Sequence, residues 1–333
     1  MASGEQLKAL LKSHVDGDDE RFFSVAMQVA AHEARRGHGR LAEELRALID
    51  SARTGLGRRA PIPIGRPRGE LANLLEVSHP SVRLGDMILG GDLGEQIRRV
   101  IREQRHAGRI VESGLTPRRK LLLTGPPGTG KTLTASVLAG ELGFPLLEVR
   151  LDGLITKYMG ETAAKLRQIF EATTRTRGVY FFDEFDAIGS QRGLPNDVGE
   201  IRRILNSFLQ MIEQERSHSL VIAATNHPAI LDSALFRRFD DILHYELPDR
   251  PQIVRLLKTR LSAAAGARVR WGSLAQLAAG LSYAEVTRAA NEVLKDALIH
   301  SRDSVNEGDI RAMLKERQSV AEKLATRRRG AEA

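Results

Sequence analysis

Short apolar runs alternate with longer amphipathic stretches through the middle of the chain. The runs have the length of buried strands, and they lie at 120–124, 145–148, 178–182, 220–224 and 242–245. After Pro248 the strand pattern stops, and helical spacing returns near 250–264, 273–279, 283–300 and 307–325. This order predicts an α/β fold, in which helices sandwich a parallel sheet and an all-α subdomain follows it.

The N-terminal part of the chain has a different pattern. Apolar residues recur at helical spacing up to residue 52, and the next stretch, 53–70, is rich in Pro, Gly and Arg without periodicity. Such a composition is typical of a linker. The predicted divisions are a helical N-terminal region (1–52), a linker (53–82), a large α/β subdomain (83–248), a helical subdomain (249–326) and a basic tail (327–333).

Composition narrows the functional classes. The 333 residues include no cysteine, which excludes disulfides and cysteine-ligated metals and fits a cytoplasmic protein. No apolar stretch approaches the length of a membrane span, and the nine histidines have no metal-ligand spacing. The net charge of +8 suggests an acidic partner such as nucleic acid, but part of the excess lies in the linker and in Arg327 to Arg329.

Residues 125–132 read GPPGTGKT, between a predicted strand and a predicted helix. The pattern G-x-x-x-x-G-K-[ST] is that of a P-loop, whose backbone N–H groups surround a phosphate. Lys131 is then expected to reach the β- and γ-phosphates of ATP, and Thr132 to bind Mg²⁺. The predicted nucleotide-binding residues of this segment are Gly125, Pro126, Pro127, Gly128, Thr129, Gly130, Lys131, Thr132 and Leu133.

Polar side chains follow the next two central strands of the predicted sheet. Asp183 and Glu184 come directly after an aromatic run, and Asn226 follows 220–224. Ligands of open α/β sheets bind at this edge. We expect Asp183 to hold the metal ion, Glu184 to polarise the attacking water and Asn226 to orient it. The alternatives are a solvated acidic turn and an Asn-containing turn before Pro228.

Two adjacent arginines, Arg237 and Arg238, lie in the segment LDSALFRRFDD. Guanidinium groups suit bidentate phosphate contacts and the charge that develops in phosphoryl transfer. Their spacing alone favours a solvated surface.

The segments GPPGTGKT, FFDEFDAIG, AATNHP and DSALFRRFD, in this order, resemble the AAA family of ATPases over about residues 83–320. The resemblance implies a P-loop NTPase sheet with Walker A at Gly125 to Thr132, Walker B at Asp183 and Glu184, and sensor 1 at Asn226. It also implies that Arg237 and Arg238 are a pair of arginine fingers. In that family the fingers act on the neighbouring subunit's nucleotide, so the resemblance implies a homo-oligomeric ring, usually a hexamer.

Two further segments extend the resemblance. LGDMILG, residues 84–90, is similar to the segment that packs on the adenine, which makes Met87 and Ile88 candidates for base contact. GLSYAEV, residues 280–286, is similar to the start of the lid helix that closes over the nucleotide. Ala284 stands where some relatives carry a sensor arginine, and Arg288 follows one turn later. The sequence leaves open whether Arg288 takes that role.

The segment KYMG, at Lys157, Tyr158, Met159 and Gly160, resembles the pore loop of protein-threading members such as katanin, spastin and the ESCRT-disassembling ATPase. It implies that Tyr158 grips an extended polypeptide. The alternatives are a tyrosine that covers the start of a helix and stacking on bases of single-stranded nucleic acid. The intact Glu184 argues against a passive nucleotide-binding module.

The predicted function is therefore an ATP-hydrolysing ring that remodels, unfolds or disassembles protein substrates, with ATP and Mg²⁺ as cofactors and an adaptor as a possible partner. The alternatives are a DNA- or RNA-associated ATPase and a regulatory ATPase partnered with a protease or a defence effector, as in bacterial members with a short helical N-terminus.

Overall fold

The computed structural model describes residues 8, 19–55, 70–154, 159–185, 197–228, 236–266 and 269–332. The chain divides into two compact units, Met1–Ile62 and Pro63–Ala333. In the first unit, helices α1 (Asp19–Arg35) and α2 (Gly39–Gly55) pack together through Ala30 and Ile49, which are buried. The nearly buried Glu33 carboxylate contacts His38 Nδ1 at 2.7 Å.

The second unit is built on a six-stranded sheet with the order β1-β3-β4-β5-β2-β6. β1 pairs with β3 in the antiparallel direction, and all the other pairs are parallel. The strands are β1 (Leu75–Ser78), β2 (Lys120–Thr124), β3 (Leu146–Val149), β4 (Val179–Phe182), β5 (Leu220–Thr225) and β6 (Asp241–His244).

Helices cover both faces of this sheet. They are α3 (Leu71–Leu74), α4 (Gly91–Arg105), α5 (Ala107–Glu112), α6 (Lys131–Leu142), α7 (Leu151–Leu154), α8 (Met159–Arg175) and α9 (Asp197–Gln214). Alternate residues of each central strand enter different cores, as strand geometry requires. Leu122 packs with residues of α8 and α9, whereas Leu121 and Leu123 pack with residues of α4 and α6.

A helical lid with its own core follows β6. It consists of α10 (Arg250–Leu261), α11 (Trp271–Leu277), α12 (Tyr283–Ile299) and α13 (Glu307–Glu332). α10 begins at a capping box, in which Asp249 accepts from the backbone N–H of Gln252 and the Gln252 side chain accepts from Asp249. The core contains Ile253, Leu257 and Val286.

The predicted α/β fold with a helical C-terminal region is confirmed, and each of the five predicted strands overlaps an observed one. β1 differs from the expectation, because it lies inside the predicted linker (53–82) and yet forms an edge of the sheet. The basic tail (327–333) also differs, because α13 continues to Glu332. Among the described residues, no helix is long and apolar enough to cross a membrane.

Candidate active site: a nucleotide cavity beneath the lid

The P-loop leaves the end of β2 at a position that only glycine fits. Gly125 has a φ of +141°, and a Cβ added there would lie 2.2 Å from the Tyr245 carbonyl oxygen. Gly130, with a φ of +103°, is the N-cap of α6. The strand therefore turns sharply into a helix N-terminus, where exposed N–H groups favour an anion.

α6 is fixed to β6 by a buried hydrogen bond. The hydroxyls of Thr134 and Tyr245 lie 2.6 Å apart, and both residues are buried. Burial raises the pKa of the Tyr245 phenol, so the group stays protonated. This contact holds the first turn of α6 in place next to the P-loop.

The Lys131 ammonium is buried and turned back over its own loop. Its Nζ donates to the carbonyl oxygens of Gly125 and Pro126, at 2.7 and 2.8 Å. The hydroxyl of Thr129 also donates to the Pro126 carbonyl, at 2.8 Å. Two carbonyl oxygens thus hold a positive charge at the P-loop, where a polyphosphate would bind.

Thr132 and Asp183 come together across 51 residues of sequence. The Thr132 hydroxyl donates to Asp183 Oδ2 at 2.6 Å. A hydroxyl and a carboxylate at this separation are oxygen ligands of the kind that Mg²⁺ prefers. The residues present therefore fit the metal ion that the P-loop pattern implies.

Glu184 has an unusual backbone. Its φ of +47° is in the left-handed region, which is rare for a residue with a side chain. Its N–H donates to Asp183 Oδ1 at 2.8 Å, and its side chain is exposed to the cavity described below. Strain of this kind is found where a side chain must be aimed for function.

Glu148 is a further carboxylate near Asp183, and the sequence patterns did not single it out. Burial, followed by the neighbouring charges of Asp183 and Glu76, raises the pKa of Glu148. A cation bound near these carboxylates would reduce the repulsion between their negative charges.

The lid touches the P-loop directly. The Ser282 side chain caps α12 by accepting from the Glu285 N–H, and the Ala284 N–H donates to the Gly128 carbonyl at 3.0 Å. A Cβ on Gly128 would lie 2.6 Å from Ser282 Oγ. The start of the lid helix and the phosphate loop are therefore in van der Waals contact.

A cavity of about 760 Å³ lies between these elements. Its lining includes most of the predicted catalytic and phosphate-binding residues, which are Pro127, Gly128, Gly130, Lys131, Thr132, Leu133, Asp183, Glu184, Asn226 and Ala284. The lid adds residues that sequence reasoning did not assign, which are Arg260, Tyr283, Thr287, Asn291, Glu292 and Lys295. Arg288, which the sequence left open, lines the same cavity.

A second cavity, of about 470 Å³, includes Thr129, Gly90 and Tyr245 in its lining. The Tyr283 hydroxyl donates to Gln252 Oε1 at 2.8 Å. Burial, followed by Asp249, raises the pKa of Tyr283 to about 12. Tyr283 lines both cavities.

The two candidates for adenine contact lie close to the P-loop and the lid. Met87 is buried, and its Sδ lies 3.9 Å from Thr134 Oγ1. Ile88 packs against the lid core. Neither is among the described residues that line the two cavities.

The remaining predicted residues lie elsewhere. Arg237 and Arg238 precede β6 and are not among the described residues that line the larger cavity. Lys157 and Tyr158 lie outside the described residues, while Met159 and Gly160 begin α8.

Comparison with known proteins identifies the class. The model of the ATPase family associated with various cellular activities (AAA) matches residues 121–247. An uncharacterized AAA family ATPase of Sinorhizobium fredii is 36% identical over 318 residues, which cover 95% of this chain and 96% of the relative. The chain therefore belongs to the AAA family. It is an ATP-hydrolysing enzyme that uses ATP with Mg²⁺.

The names of two other relatives state an activity. The ATP-dependent zinc metalloprotease FtsH 3 of Sphaerobacter thermophilus is 32% identical over 282 residues, covering 83% of this chain and 57% of the relative. The proteasome-activating nucleotidase of Pyrococcus furiosus is 34% identical over 248 residues, covering 70% of this chain and 61% of the relative. The chain thus spans about three fifths of the length of these two proteins. The likeness to katanin and spastin stays a prediction.

Proposed function

We propose that the chain forms a homo-oligomeric ring, hexameric as is common in the AAA family, which hydrolyses ATP to remodel or unfold protein substrates by threading them through a central pore. The observation that carries the proposal is the single cavity where Lys131, Asp183, Glu184 and Asn226 meet the lid. A lid in contact with the phosphate loop couples the state of the nucleotide to the position of a helical subdomain.

The predicted catalytic residues have separate roles in the proposed reaction. Lys131 and the P-loop N–H groups bind the phosphates. Thr132 and Asp183 would hold Mg²⁺, which would neutralise phosphate charge. Glu184 takes a proton from the attacking water, and Asn226 orients that water. The transferred group is the γ-phosphoryl, so ATP and water give ADP and phosphate. Arginines 237 and 238 serve the site of the neighbouring subunit.

Ala284 stands where some relatives carry a sensor arginine, but the lid offers another arginine nearby. Arg288 lies one turn further along α12, lines the cavity, and contacts Glu285 of the same helix at 3.4 Å. Since a guanidinium binds phosphate oxygens in a bidentate manner, we propose that Arg288 contacts the γ-phosphate.

Arg288→Ala is expected to weaken ATP binding about tenfold, since a charged hydrogen bond is lost, and to leave ADP binding nearly unchanged. Equilibrium titration with fluorescent ATP and ADP analogues measures both constants. Arg255→Ala is a matched control, because Arg255 is exposed on α10 and is not among the described lining residues. An unchanged dissociation constant for ATP in Arg288→Ala would rule out the contact.

The relatives favour protein as the substrate. One is by name a protease and another activates the proteasome. An aromatic residue at the tip of a pore loop suits any extended polypeptide, because apolar contact is largely independent of sequence.

The test of substrate class uses fluorescent casein as an unfolded protein and a single-stranded oligonucleotide. We expect casein, and not the oligonucleotide, to stimulate ATP hydrolysis and to bind in the presence of ATP. Tyr158→Ala should keep the basal ATPase rate and lose the stimulation, whereas Tyr158→Phe should retain it. Stimulation by the oligonucleotide alone, or full stimulation of Tyr158→Ala by casein, would refute protein threading.

A further inference from the structure

The segment 236–240, FRRFD, is anchored to the rest of its subunit at nearly every side chain. Phe236 and Phe239 pack against the core between the sheet and α9, and Phe239 is buried. Asp240 Oδ2 accepts from the backbone N–H groups of Arg119 and Lys120, at 2.8 and 2.9 Å. The Asp240 N–H donates to the Lys120 carbonyl at 2.8 Å. The segment is therefore a rigid platform fixed to the first residues of β2.

Arg238 belongs to this set of anchors. Its guanidinium forms a short ion pair with Glu213 of α9, and the same nitrogen lies 3.4 Å from the Leu209 carbonyl. The ion pair is partly exposed, with 31% of the Arg238 side chain and 63% of the Glu213 side chain accessible. A pair as exposed as this contributes little to folding, but together with the Leu209 carbonyl it orients the Arg238 guanidinium towards α9.

Arg237 differs from Arg238 in its exposure and in its contacts. It is exposed, and neither a hydrogen bond nor an ion pair joins it to any residue in the described part of the chain. Glu213 neutralises Arg238 but leaves the charge of Arg237 available to an external anion. A guanidinium on a rigid support is pre-organised for a phosphate, because little freedom is lost on contact.

We propose that Arg237 alone contacts the nucleotide of the neighbouring subunit, and that Arg238, held by Glu213, is a positioning residue for Arg237. This inference rests on the proposed function, since it requires a ring with sites shared between subunits. The two adjacent arginines thus have different roles, because Arg238 contacts Glu213 whereas Arg237 is exposed.

The experiment compares ATP hydrolysis by the assembled Arg237→Ala, Arg238→Ala, Glu213→Gln and Arg238→Ala/Glu213→Gln proteins. Arg237→Ala is expected to lower kcat at least tenfold, as the loss of a charge-stabilising arginine does. Arg238→Ala and Glu213→Gln should each lower kcat about fivefold, and the double variant no further than Arg238→Ala, because the two residues act as one unit. The KM for ATP and the Tm should stay at the wild-type values.

Arg238→Lys keeps a cation opposite Glu213 and should retain about half of the wild-type kcat, although lysine cannot replace a bidentate phosphate contact. The control is Glu171→Gln, which removes a comparable exposed ion pair, with Arg175 on α8. If Arg237→Ala and Arg238→Ala are equally impaired while Glu213→Gln matches the wild type, Arg238 is a second finger and the inference fails. If Arg237→Ala has the wild-type kcat, the shared site of the proposed function fails with it.

Discussion

The Glu184→Gln protein is expected to bind ATP with wild-type affinity and to hydrolyse it about a thousandfold more slowly. The amide cannot accept a proton from the attacking water, and loss of a general base costs about 10²–10⁴ in rate. Binding should persist, because Lys131, Thr132 and Asp183 make their contacts without the Glu184 side chain. Phosphate release measures turnover, and a fluorescent ATP analogue measures binding.

The control for this variant is Glu112→Gln, which changes an exposed glutamate on α5, away from the described lining of the cavity. It should hydrolyse ATP at the wild-type rate. A Glu184→Gln protein with more than a tenth of wild-type turnover would contradict the assignment of water activation to Glu184.

Gly125→Ala should destabilise the fold and abolish nucleotide binding together. The added Cβ would lie 2.2 Å from the Tyr245 carbonyl oxygen and 2.9 Å from Tyr245 Cβ, at a φ of +141°. Because the Tyr245 N–H also donates to Thr124, relief of the clash must separate the ends of β6 and β2. Overpacking and backbone strain together cost about 3 kcal/mol, which corresponds to a fall in Tm of roughly 6 °C or more.

Gly114→Ala separates the two contributions. Gly114 also has a positive φ, of +76°, but an added Cβ would meet no described atom within 4 Å. It should therefore show only the cost of backbone strain, about 1 kcal/mol, and should bind ATP normally. Equal losses of Tm in the two variants would show that the contact with Tyr245 is unimportant.

The sequence predicted the parallel strands well because both of their faces are buried. Such strands are nearly continuous apolar runs, and Leu121 to Leu123 is an example. β1 escaped prediction because only Leu75 in it is buried and charged Glu76 interrupts the run. An edge strand has fewer neighbours, so its pattern is weaker.

The sequence predicted those residues of the candidate site that belong to short motifs. The P-loop, Asp183 and Glu184 follow strands directly, and the ends of parallel strands bring them together. The lid residues were not predictable, because Arg260 and Thr287 reach the cavity only through helix packing. The difference between Arg237 and Arg238 was also hidden, since it depends on Glu213, which is 25 residues away in the sequence.

The hydrogen bond from the Ala284 N–H to the Gly128 carbonyl joins the first turn of α12 to the phosphate loop, so α12 would rotate about this contact. α12 has 17 residues, and at 1.5 Å per residue it is about 25 Å long. A rotation of about 10° at its first turn would displace its far end by about 4 Å. Leu298 and Ile299 lie at that end with 78% and 77% of their surfaces exposed. Such a rotation would move this apolar surface by about the length of a side chain.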